Sequence, residues 1–182
     1  LAELDRRLVA PLGAGDGALV VVPADHLHDV PWCGLPSLWA RAVTVAPSAA
    51  AWMVPPRDPR PPGGQRLGVI TGPGLVEAEE EARDVVRQWM AGSTGSTVAA
   101  ALALAERVQV LHVAAHGRVC AENPMLSAIG LADGDLTVHD LAGIAAVPPV
   151  VVLAACDMGR AARYGDEVLG FGHALDGLGA RA

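Results

Sequence analysis

Two apolar runs dominate the pattern of hydrophobic and polar positions along the chain. The first is VQVLHVAAHG at residues 108–117, and the second is VVVLAACDMG at residues 150–159. Both are short, rich in β-branched residues and closed by glycine, which is typical of parallel strands covered on both faces. Residues 138–145 between them have the pattern of a helix, so the three segments predict a right-handed β-α-β crossover. We therefore expect the two runs to be neighbouring parallel strands.

The rest of the chain alternates between strand patterns and helix patterns. Residues 54–64 are rich in proline and glycine, which predicts an exposed loop, and the glycines at residues 92–95 predict a flexible link. Predicted strands cover residues 18–22, 42–46 and 66–71, and predicted helices cover residues 1–9, 47–53, 75–90 and 97–106. This alternation predicts an α/β fold.

Length and charge narrow the class of protein. The chain has 182 residues, which predicts a single domain, and its formal net charge of −7 argues against nucleic acid as a partner. No apolar run approaches the roughly 20 residues of a membrane span. The odd number of cysteines, three, predicts a reduced, cytoplasmic protein. Because the chain begins without methionine and stops after a predicted helix, we expect a domain excised from a larger protein and truncated at its C-terminus.

Each central run ends in a reactive side chain, His116 in the first and Cys156 in the second. Sites in parallel sheets form beyond the carboxyl ends of the strands, so we expect the two side chains to lie together. A neighbouring imidazolium lowers the pKa of a thiol from about 8.5 toward roughly 3.5–7.5, and a histidine in reach can protonate a leaving amine. The N–H groups of Gly117 and Cys156 can form an oxyanion hole. The alternative is that Cys156 is a small apolar core residue.

Acidic residues near the predicted nucleophile are candidates for substrate binding. Asp157 follows the cysteine, and Asp166 follows the loop at residues 158–165. An acidic wall there would select a basic side chain before the cleaved bond by charge pairing. Asp166 also precedes a helix predicted to begin near Glu167, and capping that helix is its favoured role. The two roles of Asp166 are compatible.

A metal site is the alternative reading of the other histidines and cysteines. His26, His28 and Cys33 share one loop, but no second pair of ligands recurs at zinc spacing. We therefore expect no metal there and a loop that packs Trp32 and Leu35 on the core. We also expect His112 to be buried and hydrogen-bonded. His139 and His173 are expected to have structural roles, and Cys33 and Cys120 to be unreactive.

The TGPG turn at residues 71–74 raises the possibility of nucleotide binding. It stands between a predicted strand and a predicted helix, but the full glycine spacing of a dinucleotide fingerprint is absent. Four glutamates also crowd the start of the helix, where a phosphate would bind. They are Glu77, Glu79, Glu80 and Glu81. Nucleotide binding is thus the least favoured hypothesis, and we expect no cofactor.

The central motifs and their spacing support a family assignment. The chain resembles the CHAT domain, a caspase-like module related to separases, from about residue 18 to residue 182. The resemblance is carried by HVAAHG, VLAACDMG and GDEVLGFGHAL, together with ALVVVPADHLHDVPWCGLPSLW, VTVAPSAAAW and EAEEEARDVVRQW.

The resemblance implies a fold, a pair of catalytic residues and an activity. The implied fold is a three-layer α/β sandwich with a mostly parallel central sheet and caspase-like topology. The histidine before the glycine and the cysteine after the later strand form the family's dyad, which here corresponds to His116 and Cys156. The implied activity is that of a cysteine endopeptidase acting on a protein or peptide substrate under the control of repeat or sensor domains. An inactive protein-interaction module with the same fold is the alternative.

Overall fold

The computed structural model describes residues 1–24, 27–28, 30–53, 66–89, 92–120, 122–145, 147–155, 162–164, 167–169 and 171–180. The chain divides into two compact units, Leu1–Pro55 and Pro56–Ala182. Their boundary falls in the segment rich in proline and glycine, and that segment, predicted as an exposed loop, lies outside the described residues. The single domain expected from the sequence therefore stays a prediction.

Both units contain strands and helices. The helices are α1 (Ala2–Leu8), α2 (Ala49–Met53), α3 (Val76–Trp89), α4 (Val98–Ala105), α5 (Val138–Ala142) and α6 (Phe171–Leu178). The strands are β1 (Leu19–Val21), β2 (Val43–Val45), β3 (Leu67–Thr71), β4 (Ser93–Gly95), β5 (Val110–Ala114), β6 (Gly117–Arg118), β7 (Ala128–Leu131), β8 (Gly134–Thr137), β9 (Val150–Ala154), β10 (Ala162–Tyr164) and β11 (Glu167–Leu169).

The first unit is built on two short parallel strands, β1 and β2. Its core includes Trp32, Leu35 and Leu38, which are 7%, 0% and 1% exposed. The Trp32 Nε1–H donates to the Leu27 carbonyl over 3.1 Å, which satisfies the polar edge of this buried ring. The prediction that Trp32 and Leu35 pack on the core is therefore confirmed.

A four-stranded parallel sheet in the order β4-β3-β5-β9 organises the second unit. The strands β5 and β9 pair in register from Val110↔Val150 to Ala114↔Ala154. The prediction that the two central runs are neighbouring parallel strands is confirmed. The chain is thus an α/β protein with a mostly parallel central sheet.

The two central strands differ in burial. β5 is buried over most of its length, as expected, but β9 alternates between exposed and half-buried residues. Val150 and Val152 are 38% and 44% exposed, so the prediction that both faces are covered is wrong for β9. The reason is its position: β9 is the outermost strand of the described sheet, and α3 contacts β3 and β5.

A small antiparallel sheet, β6-β7-β8, precedes α5 in the connection from β5 to β9. The sequence predicts only a helix in this connection, and it misses the sheet because strands of two to four residues show too little alternation. The hairpin signal is Asp133-Gly134, with Gly134 at a φ of +150° that favours glycine.

Two other predicted elements are wrong. The flexible link at residues 92–95 is mostly the edge strand β4, which is supported by parallel pairing with β3 rather than by its own sequence. The helix expected to begin near Glu167 begins instead at Phe171. Residues Glu167–Leu169 are extended because they pair antiparallel with β10.

Two apolar clusters pack on alternate residues of β3. Leu67 and Val69 contact Ala82 of α3 in one cluster. Ile70 belongs to the larger cluster, which includes Leu104 of α4 as well as residues of α5 and α6. Successive residues of a strand point to opposite faces, so apolar side chains are buried on both faces of β3.

Side-chain caps fix the starts of two helices. The Thr97 hydroxyl accepts from the Ala100 N–H over 3.2 Å and so caps α4, the role that threonine favours at the start of a helix. At α5, Thr137 and Asp140 form a reciprocal capping box, with 3.1 Å from the Asp140 N–H to Thr137 Oγ1 and 2.9 Å from the Thr137 N–H to Asp140 Oδ2. The Thr137 hydroxyl, followed by its N–H, holds the pKa of Asp140 below its ordinary value.

Candidate active site

The strand order changes direction at β3. The next strand in the chain, β4, lies on one side of β3, and the one after it, β5, lies on the other side. In open parallel sheets, ligands bind in the crevice between the carboxyl ends of strands that diverge in this way. The segments that follow β3 and β5 are therefore the expected walls of a site.

His116 follows the carboxyl end of β5 and is exposed. Its carbonyl accepts a hydrogen bond from the Gly130 N–H over 2.9 Å. Gly117 begins β6 and pairs with Ile129 of β7. The main chain of His116 is thus fixed by the small sheet, while its imidazole remains accessible to a substrate.

The turn between β3 and α3 packs against the backbone just before His116 and against Gly130 of β7. The Gly72 N–H donates to the Ala114 carbonyl over 3.0 Å. A Cβ atom at Gly72 would lie 2.5 Å from the Gly130 oxygen and 2.7 Å from the Ala115 Cβ, distances that real side chains do not adopt. Only glycine lets these three segments approach so closely.

Gly74 brings the same turn to the imidazole. It has a φ of +79°, and a Cβ atom at this position would lie 4.0 Å from Nε2 of His116. The TGPG sequence suggests a phosphate loop on inspection, but its glycines serve close packing beside the predicted catalytic histidine. In the sequence, a glycine-rich turn directly after a buried strand is the feature that indicates this close packing.

The register of β5 and β9 bears on the predicted dyad. Ala114 pairs with Ala154, and His116 and Cys156 each come two residues later in the sequence. Cys156, Asp157 and Asp166 lie outside the described residues. The His116–Cys156 pair, the oxyanion role of the Cys156 N–H and the acidic substrate wall therefore stay predictions.

The small sheet carries a charged pair that the sequence did not suggest. Arg118 Nη2 donates to Asp135 Oδ2 over 2.6 Å, from β6 to β8. On β7, which lies between β6 and β8, Ala128 is the register partner of Arg118 and Gly130 is the register partner of Asp135. This pair places a positive group two residues after His116 and a negative group beside it on β8.

His112 is buried in the middle of β5, as predicted, with 7% exposure. Its Nε2 lies 3.0 Å from Glu81 Oε1 of α3, but the contact lacks hydrogen-bond geometry. The predicted hydrogen bond is therefore absent at Nε2 among the described residues. The side chain belongs to the contact between α3 and β5.

The other candidate residues lie elsewhere. Cys33 is exposed, whereas Cys120 is half-buried with its Sγ 3.7 Å from Glu122 Oε2. His139 is exposed on α5, and α6 contains His173, whose side chain is not described. Within the described ranges, no three histidine, cysteine or acidic side chains cluster as metal ligands. No helix in those ranges is long and apolar enough to cross a membrane.

The fold and the position of His116 define an α/β protein with a candidate site at the carboxyl ends of its parallel strands. The model of the CHAT domain family matches residues 1–182, the whole chain. The chain therefore belongs to the CHAT domain family, which is related to caspase-like peptidases. None of the curated proteins compared with the chain matches it significantly.

Proposed function

We propose that the chain is a cysteine endopeptidase of caspase-like topology, with a three-layer α/β fold, that cleaves a protein or peptide substrate. His116 and Cys156 are its dyad, and it needs no cofactor. The observation that carries the proposal is the parallel pairing of Ala114 with Ala154. Parallel strands in register end at the same edge of a sheet, and the two residues follow these alanines by equal numbers of positions. Membership of the CHAT family supports the same assignment.

The proposed reaction passes through an acyl-enzyme. The Cys156 thiolate attacks the carbonyl carbon of the scissile peptide, and the negative charge on the carbonyl oxygen is stabilised by the N–H groups of Gly117 and Cys156. His116 then donates a proton to the leaving nitrogen as the C–N bond breaks. Water, deprotonated by the same imidazole, attacks the thioester and releases the acid product and the thiolate.

Selectivity and control belong to the proposal as well. Asp157 and Asp166 are the candidate groups for binding a basic side chain before the scissile bond, by direct charge pairing. Repeat or sensor domains acting through protein contacts are the proposed regulators, and the cytoplasm is the proposed location. Neither nucleic acid nor membrane is a proposed partner.

The test compares active-site variants of the complete natural polypeptide. The wild type and each variant are incubated with candidate protein partners, and new N-termini are identified by mass spectrometry. Cys156→Ala is expected to reduce cleavage to background, because an oxyanion hole alone cannot form the acyl-enzyme. His116→Ala is expected to leave slight activity at high pH, where the thiolate forms unaided. The matched control is Cys33→Ala, at an exposed cysteine of the first unit.

The same test decides between an enzyme and a binding module. If Cys156→Ala keeps the wild-type set of new termini, the peptidase assignment fails. If the wild-type polypeptide binds a partner without cleaving it, and Cys156→Ala binds equally well, an interaction module replaces the enzyme.

A further inference from the structure

The small sheet beyond β5 carries an ion pair close to the predicted catalytic histidine. Arg118 comes two residues after His116 and reaches across β7 to Asp135 on β8, with 2.6 Å between Nη2 and Oδ2. The two side chains are 59% and 49% exposed. The bond is thus a tie across the surface of the sheet and not part of its core.

Gly130 lies beside the Arg118–Asp135 pair on the central strand of the small sheet. It pairs with Asp135 in the β7–β8 register, and its N–H donates to the His116 carbonyl over 2.9 Å. A Cβ atom at Gly130 would lie 3.8 Å from that carbonyl oxygen and 4.0 Å from Oδ1 of Asp135. Both are ordinary van der Waals distances. His116, Gly130 and Asp135 therefore form one row across the sheet.

The strand β6 has less support than its neighbours. Ile129 of β7 and Leu136 of β8 are 1% and 2% exposed and belong to the large apolar cluster of the second unit. β6 has only two residues and pairs with β7 alone. Within the described residues, the bond from Arg118 to Asp135 is the side-chain hydrogen bond that joins β6 to β8, which is anchored in the core by Leu136.

We propose that Arg118 and Asp135 are positioning residues that hold β6 and thereby fix the orientation of the His116 imidazole and the Gly117 N–H. The inference rests on the proposed peptidase function, and it assigns to neither side chain a contact with the reacting atoms. A role for Arg118 in binding an acidic substrate side chain is less favoured, because Asp135 already neutralises its guanidinium.

A charge-reversal cycle tests this role. The variants are Arg118→Asp, Asp135→Arg and the double exchange, each in the complete natural polypeptide. Exposed pairs are weak, so each single reversal is expected to lower kcat by about three- to ten-fold with little change in KM. The double exchange restores the pair and is expected to return kcat to within about two-fold of wild type.

The control is the pair of Arg87 with Asp84 on α3, which is similarly exposed, at 76% and 58%. Reversal of either member is expected to leave kcat unchanged, because this pair lies toward the C-terminal end of α3, away from the turn before α3 that borders His116.

Hydrogen exchange at the Gly130 amide provides a readout that does not depend on cleavage. This N–H bonds to the His116 carbonyl, so loosening β6 is expected to speed its exchange in both single reversals but not in the double exchange. If the polypeptide shows this exchange pattern but has no peptidase activity, the structural role of the Arg118–Asp135 pair stands and the proposed function fails. Unchanged exchange in the single reversals overturns the proposal. So does a double exchange that stays as impaired as the singles, or single reversals that alter only which peptides are cleaved.

Discussion

Gly72 offers the sharpest test of how the candidate site is packed. In Gly72→Ala, the new methyl group would lie 2.5 Å from the Gly130 oxygen and 2.7 Å from the Ala115 Cβ. Both separations are about 0.7–0.9 Å short of an ordinary contact at 3.4 Å. The close neighbours are backbone and a short side chain, which cannot rotate away. The turn after β3 must therefore move, or the segment before His116 must.

The expected cost is that of an overpacked core, about 2–3 kcal/mol in the free energy of unfolding. For a chain of this size, that corresponds to a fall of roughly 5–10 °C in Tm. Urea denaturation followed by circular dichroism measures the change, and faster exchange of the Gly130 amide locates it at the site.

The matched control is Gly177→Ala, on α6. A Cβ atom there meets nothing within 4 Å, and alanine favours the helix, so stability is expected to be unchanged or to rise by up to about 1 kcal/mol. If the free energy of unfolding of Gly72→Ala lies within about 0.5 kcal/mol of the wild-type value, the three segments are not packed as closely as described.

Two further predictions concern pH and access. Asp140→Ala removes the acidic member of the capping box in the first turn of α5 and is expected to lower stability by about 0.3–1 kcal/mol at pH 7. Because the Thr137 hydroxyl lowers the pKa of Asp140 in the folded state, this contribution is fully present above the pKa of the unfolded chain, about 3.9, and is lost as the pH falls through the pKa of the folded state. Urea titrations at pH 7 and pH 2.5 measure the contribution. Equal stabilities of the variant and the wild type at pH 7 would contradict it. Gly74→Asn is expected to slow carbethoxylation of His116, measured by peptide mass spectrometry, whereas Gly13→Asn, at φ +56° with nothing near, leaves the rate unchanged. Equal rates in both variants would show that Gly74 does not border the imidazole.

The sequence predicted the parallel core because its signal is local and strong. Short runs rich in β-branched residues mark β5 and β9, and Thr97, a residue type favoured at helix N-caps, marks the start of α4. The exposure of β9 was not predictable in this way, because it depends on which strand is outermost and where α3 packs. A run of valines looks the same in the middle and at the edge of a sheet.

The candidate site was predictable only in part. A histidine after a buried strand is visible in the sequence, but the contacts around His116 come from segments far away in the chain. The approach of Gly72 to Gly130 and the bond from Arg118 to Asp135 depend on strand register. Strands as short as β6 carry no periodicity from which register can be read.

The central claim is that His116 and Cys156 act as a pair, and the reactivity of the cysteines tests it most directly. The measurement is the rate of iodoacetamide alkylation at each cysteine at mildly acidic pH, resolved by peptide mass spectrometry. The pair predicts that Cys156 reacts before Cys33 and Cys120, because an imidazolium beside it favours the thiolate. It also predicts that His116→Ala slows only that reaction, while His139→Ala, at an exposed histidine of α5, leaves it unchanged. Equal rates at all three cysteines, unaffected by His116→Ala, would contradict the pair.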